Sequence, residues 1–214
     1  MSKNNIFPHE WTVEQTLIQR RAVRNYHQDQ NISSQELQKI LKLATYAPSS
    51  WNLQHWYFLV VSEKEMKEKL YAVAHQQNQI LDASAVIIVL GDLEAYRNFE
   101  QIYQPFLAAG FMDEERYFKM KTDIYAYYEN NSSGARDEAI RNASLCAMQL
   151  MIAAKAQGYD TCPMIGFEVA ALIDRFNIPP RYIPVMLISI GRATGKTSRT
   201  ARLPLQSRIT MEHF

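Results

Sequence analysis

Ala47-Pro48-Ser49-Ser50-Trp51-Asn52-Leu53-Gln54-His55-Trp56 is the stretch on which the reading of this chain turns. It leaves a helical pattern and runs straight into an apolar strand, Tyr57-Phe58-Leu59-Val60-Val61. A connection of that kind needs only a short turn. This one carries two hydroxyls, Ser49 and Ser50, and two carboxamides, Asn52 and Gln54, with Trp51 and Trp56 beside them. Hydroxyls and carboxamides both donate and accept hydrogen bonds. In an extended segment Asn52 and Gln54, two residues apart, share one side while Trp51 takes the other. Such a group suits a planar heteroaromatic ligand with carbonyls and ring nitrogens. It equally suits a Pro-Ser-Ser turn closed by a local side-chain bond.

Upstream, Ser33 to Glu36 has the form of a capping box, and Leu37, Ile40, Leu41, Ala44 and Tyr46 fall on or near one face of the helix it opens. That helix must end before Pro48. Further upstream, Thr12 to Gln19 reads as a short helix with Thr12 as N-cap. Downstream, Trp56 to Val61 is a buried strand, and Ser62 to Glu65 has the form of a second capping box. Its helix runs to about Ala74 with Met66, Leu70 and Val73 as the apolar stripe. Ala85 to Leu90 is a strand. Leu93 to Asn130 is helical and dense in aromatic residues, which suits the roof of a ligand pocket, plain helix packing or a subunit interface.

Asn131 to Gly134 reads as a break before the longest helix, Asp137 to Gln157, with Gly158 at its C-terminal cap. Small residues on both faces of that helix place it at the centre of the fold, with Cys146 as a core residue. Pro163 and Gly166 suggest an irregular segment with accessible backbone amides. Glu168 to Phe176 is a short helix and Ile183 to Ile190 a strand. The tail is irregular and basic, holding Arg192, Lys196, Arg199, Arg202 and Arg208. No repeat or linker interrupts the 214 residues, so one α+β domain over residues 1–214 is expected.

Composition narrows the function classes. Hydrophobic residues make up 47% and charged residues 21%, and the formal net charge is +1, which gives no general drive toward nucleic acid or an acidic membrane. Cys146 and Cys162 form no CxxC pair, and His9, His27, His55, His75 and His213 show no metal-ligand spacing. Met1 to Glu10 is polar, and the longest apolar run inside the fold, Ala85 to Leu90, is far too short to span a bilayer. A cytoplasmic location is the expectation.

A second chemistry-bearing stretch is Arg20-Arg21-Ala22-Val23-Arg24. Three arginines in five residues make either a solvated basic face or a cradle for a phosphate, whose oxygens match guanidinium forks. An early arginine cluster, the Pro48 loop, a Pro-Met-Ile-Gly segment after a central helix and a basic tail, in this order, resemble the nitroreductase family of FMN-dependent oxidoreductases. The resemblance covers about Thr12 to Leu205.

On that resemblance, Arg20, Arg21, Ala22 and Arg24 stand where the family holds the FMN phosphate and the flavin edge, with Ala22 in place of a usual serine. Pro48, Ser49, Ser50, Asn52 and Gln54 match the loop that reaches flavin across the dimer interface, and His55 replaces a common proline. Gln79 resembles a position at the pyrimidine edge, and Gln76 stands where asparagine is usual. Pro163, Met164, Ile165 and Gly166 resemble the segment whose amide approaches flavin N5. Arg202 resembles a tail arginine that returns to the phosphate, with Arg199 as the weaker candidate. The implied fold is a central mixed β-sheet wrapped by helices in an intertwined homodimer.

The implied chemistry is ping-pong. NADH or NADPH delivers hydride to the flavin and leaves, and a small-molecule acceptor such as a nitroaromatic or quinone then takes the electrons. Hydride chemistry belongs to the cofactor, which accords with a chain offering no Ser-His-Asp set, carboxylate pair or metal cluster. Dehalogenation, flavin fragmentation, enoate reduction, dehydrogenation of peptide rings and a non-catalytic redox-sensing module are the alternatives the resemblance leaves open.

Overall fold

The computed structural model describes residues 11–195, 197 and 199–213. The polar stretch 1–10 and Lys196 lie outside them.

Local chemistry sets the first two helices. The Thr12 side chain accepts from the Gln15 N–H and the Gln15 side chain accepts from the Thr12 N–H, which opens α1 (Val13–Gln19). Ser33 and Glu36 do the same for α2 (Ser34–Ala44), whose Ile40 and Ala44 enter the core. After the Pro48 loop comes β1 (Trp56–Val61). The second capping box does not form. Glu63 is the N-cap of α3 (Lys64–Val73) and makes no side-chain cap bond, because Ser62 falls one residue too early to reach the helix.

The short helix α4 (Gln79–Asp82) leads to β2 (Ala85–Asp92). Then follow α5 (Phe99–Ala108), α6 (Glu114–Glu129), α7 (Ser132–Ala156), β3 (Asp160–Met164), α8 (Val169–Phe176) and β4 (Tyr182–Gly191). The break expected at Asn131 to Gly134 is instead the first turn of α7, capped by the Asn131 side chain accepting from the Gly134 N–H.

The sheet order is β1-β2-β4-β3 and every strand pairing is antiparallel. The mixed sheet expected from the resemblance is therefore corrected. Val61, at the end of β1, lies opposite Val86 near the start of β2, so the excursion through α3 and α4 leaves and returns at one end of the sheet. Among the described residues, parallel pairing is confined to an isolated bridge between Ala22 and Thr161.

All eight residues of β2 are buried. Ile87 and Val89 face α7 with Ala143, Cys146, Ala147 and Leu150, while Val86, Ile88 and Leu90 join Leu70, Leu172 and Leu187 on the other side. A third cluster gathers Leu53 of the Pro48 loop with Phe99, Tyr117, Ile124 and Tyr128. Much of the aromatic segment thus packs inward, although Phe106, Phe111 and Phe118 remain exposed.

Helix α7 sits so close to the sheet that a Cβ on Gly91 would lie 2.9 Å from the Ala139 carbonyl oxygen. Gly91→Val should therefore destabilise the fold by about 1–3 kcal/mol through overpacking against backbone. Urea unfolding measures this, and an unchanged midpoint would contradict the close approach. No helix among the described residues is long and apolar enough to cross a membrane.

Candidate functional site

The early arginines lie on a strip clipped to the edge of the sheet. Arg20 is the C-cap of α1, Ala22 bridges Thr161, and the Val23 N–H donates to the Thr161 carbonyl at 3.0 Å. A cavity of about 500 Å³ opens beside the strip, lined by Arg20, Arg21, Ala22, Arg24, Asn25, Pro163, Thr197, Thr200 and Arg202. Among the described residues no acidic side chain is part of that lining. Burial, then the neighbouring Arg202 and Arg21 charges, lower the pKa of Arg20. Cations gathered without a counter-charge repel one another, and an anion in the cavity would relieve that. Among the described residues Arg202 is held by its own tail, donating to the Thr200 hydroxyl at 2.6 Å and the Ala201 carbonyl at 3.0 Å. Arg199 lines an adjoining cavity with Gln19, Lys155 and Asp160, which shares Arg21 and Thr197 with the first.

The Pro163 to Gly166 segment is more regular than expected. Pro163 and Met164 belong to β3, an edge strand, where a missing N–H is tolerated. Ile165 is 82% exposed. The Gly166 carbonyl accepts from Gln77 Nε2 at 2.8 Å, and no described residue accepts from the Gly166 N–H. Gln79 is buried, donating to Gln77 Oε1 at 3.1 Å and contacting Met164 Sδ at 3.2 Å. Gln76 is exposed, with a left-handed φ of 52°. Gln77, which no sequence signal singled out, thus ties Gln79 to the Pro163 to Gly166 segment.

The Pro48 loop is not extended. Ser50–Asn52 is a turn of 3-10 helix, and φ is 48° at Trp51, 51° at Asn52 and 56° at Gln54. Left-handed backbone is uncommon away from glycine and persists only where the surroundings enforce it. Here they do. The Gln54 N–H donates to Ser49 Oγ at 3.0 Å, and the Ser50 N–H donates to Asn142 Oδ1 at 2.9 Å. The Ser50 hydroxyl donates to the Glu138 carboxylate. The Tyr103 hydroxyl donates to the Trp51 carbonyl at 2.8 Å, and Asn98 Nδ2 to the Leu53 carbonyl at 2.9 Å. The Trp51 ring packs 5.5 Å from that of Tyr127. Asn52 and Gln54 line a second cavity of about 480 Å³ with Trp56, Asn98, Gln101, Ile102 and Phe106.

Behind the loop, His55 is fully buried and its Nε2 pairs with the Tyr128 hydroxyl. Burial pulls the His55 pKa down to about 4, against the opposing charges of Glu138 and Asp92. Glu138 is held below the usual carboxylate range. Burial works against that, but bonds from Ser50 and Asn142 and the charges of Arg141 and His55 outweigh it.

The arginine cavity and the loop cavity share no lining residue. Arg20, Arg21, Ala22, Arg24, Pro163 and Arg202 come together, whereas Asn52 and Gln54 gather elsewhere. Among the described residues no cluster of His, Cys, Asp and Glu could hold a metal ion.

Comparison with known proteins sets this geometry in context. The model of the Nitroreductase family matches residues 17–192. YodC of Bacillus subtilis (strain 168), provisionally named an NAD(P)H nitroreductase, is 47% identical over 186 residues, covering 87% of this chain and 92% of that protein. The CLA biosynthesis enone reductase of Lactiplantibacillus plantarum is 31% identical over 190 residues, covering 87% of this chain and 88% of the enzyme. A provisionally named nitroreductase from Exiguobacterium sibiricum 255-15, solved in complex with FMN, superposes with a TM-score of 0.89 at 36% identity, covering 96% of this chain and all of that one.

Proposed function

Because this chain belongs to the nitroreductase family, we propose that it is an FMN-dependent oxidoreductase that uses NADH or NADPH to reduce nitroaromatics, quinones or similar acceptors. The carrying observation is the cavity ringed by Arg20, Arg21, Arg24 and Arg202 with no acid in its lining among the described residues. An FMN phosphate bears close to two negative charges, and guanidinium groups can meet its oxygens in pairs. The donor set fits that group. When bound, the flavin supplies the hydride chemistry.

The protein's own part is to bind and orient. The arginines would hold the phosphate, the Gly166 N–H would be offered to the ring, and Asn52 and Gln54 would present carboxamides. The two cavities are separate within one chain, so a homodimer in which the loop of one subunit completes the arginine site of the other is part of the reading. An enone acceptor is the second reading, favoured by the likeness to the Lactiplantibacillus plantarum enone reductase.

The test is titration of flavin-stripped protein with FMN and FAD, followed by mixing with NADH or NADPH. FMN is expected to bind, FAD to bind poorly, the yellow colour to bleach and a quinone to restore it. A protein that takes up no FMN would overturn the reading. Sedimentation of the same samples checks for the dimer.

A further inference from the structure

Helix α7 carries two polar side chains that neither the sequence pattern nor the cofactor reading assigns. Glu138 and Asn142 are one turn apart, so they share a face, and they are only 9% and 2% exposed. A buried carboxylate needs its oxygens occupied. Here Arg141 donates to one oxygen. The other accepts from the Ser50 hydroxyl and from Asn142 Nδ2, the latter at 2.9 Å. Asn142 Nδ2 also reaches the Glu138 carbonyl at 2.7 Å, while its Oδ1 accepts from the Ser50 N–H at 2.9 Å. Both donors of Ser50 are therefore committed to α7. Directly beyond Ser50 the backbone turns left-handed at Trp51 and Asn52.

We propose that Glu138 and Asn142 are positioning residues that act through Ser50. By holding it they fix the left-handed turn that presents Asn52 and Gln54 to the flavin ring. This rests on the FMN reading above. It also changes the role of Ser50, which has no donor left for a ligand and serves the ring indirectly.

The ring is common to FMN and riboflavin, so a fault in the loop weakens both ligands alike. Flavin-stripped wild type, Glu138→Gln, Ser50→Ala and the double variant are titrated with each, and each variant's melting temperature is recorded. Glu138→Gln is expected to weaken FMN and riboflavin by a similar factor of about ten, the loss of one charge-assisted hydrogen bond. In the Ser50→Ala background the same substitution should add less than about twofold, because the route through Ser50 is already cut. Should Glu138→Gln not fold, Ser50→Ala alone must weaken both ligands alike.

Unchanged affinities in a Glu138→Gln protein that merely melts lower would reduce the pair to a structural role and overturn the proposal. Equal effects of Glu138→Gln with and without Ser50 would overturn it too. Wild type that binds neither ligand would overturn the FMN reading itself, and this inference with it.

Discussion

Arg202→Ala is expected to weaken FMN binding about ten- to a hundredfold, the equivalent of about 1.5–3 kcal/mol for a charge-assisted bond to an anion, while leaving riboflavin binding nearly unchanged. The selectivity follows from where Arg202 sits. It lines the arginine cavity, and among the described residues its own hydrogen bonds reach Thr200 and Ala201 in the same stretch of tail. Removing it breaks no hydrogen bond to the core among the described residues. It also removes a charge that bears on Arg20. The flavin-free variant should therefore be no less stable than the parent. Parallel titrations with the two ligands decide the matter, and equal losses for both would show that Arg202 does not meet the phosphate.

Acid should weaken the fold well above the range where ordinary carboxylates titrate. Burial pulls the His55 pKa down to about 4 in the folded protein, from an ordinary value of 6.5. A base with a depressed folded pKa favours the native state while it is neutral. That stability is complete above the unfolded value and is lost as pH falls toward the folded one. At 1.36 kcal/mol per unit the full loss is about 3 kcal/mol, of which about 2 kcal/mol is gone by pH 5. Glu138, held below its usual range, adds its own loss in the same direction at lower pH. Urea unfolding at pH 7 and pH 5 measures the effect. His55→Gln keeps a polar partner for Tyr128 but does not titrate, so its stability should fall by about 2 kcal/mol less than wild type over that interval. Identical pH dependence in the two proteins would remove His55 as the cause.

The effect bears on function because of what lies around the imidazole. Tyr128, its partner, packs with Trp51 and Tyr96. Leu53 of the Pro48 loop joins the same aromatic cluster. Protonating His55 therefore strains the packing on which the left-handed turn rests.

Elements whose signals are local could be read from the chain alone. The N-cap at Thr12 and the capping box at Ser33 formed as expected, as did β1 from Trp56 to Val61. The arginines could be recognised because charge type survives without coordinates, and Arg20, Arg21, Arg24 and Arg202 do meet around one cavity.

The handedness of the Pro48 loop could not be read in this way. Alternation along a strand predicts Asn52 and Gln54 on one side, but the backbone there is set by Asn98, Tyr103, Glu138 and Asn142, all more than 40 positions away. Pro163 gives a misleading local signal for a related reason. Proline argues against a central strand, and only the sheet order reveals that β3 is an edge. Strand direction likewise depends on which end of the sheet each excursion returns to, and apolar patterning does not carry that.

The arginine strip has a second consequence, at the rim of the sheet. Thr161 turns its carbonyl outward to the Val23 N–H, so Pro163, two residues along, turns its nitrogen the same way. Beside the clipped length, the exposed border of β3 therefore presents a ring nitrogen that cannot donate. An unprotected border is where stray strands add and aggregates begin. The segment that carries Arg20 to Arg24 is in this sense a selvedge, and a chain that lost it would expose a raw sheet edge as well as an empty phosphate site.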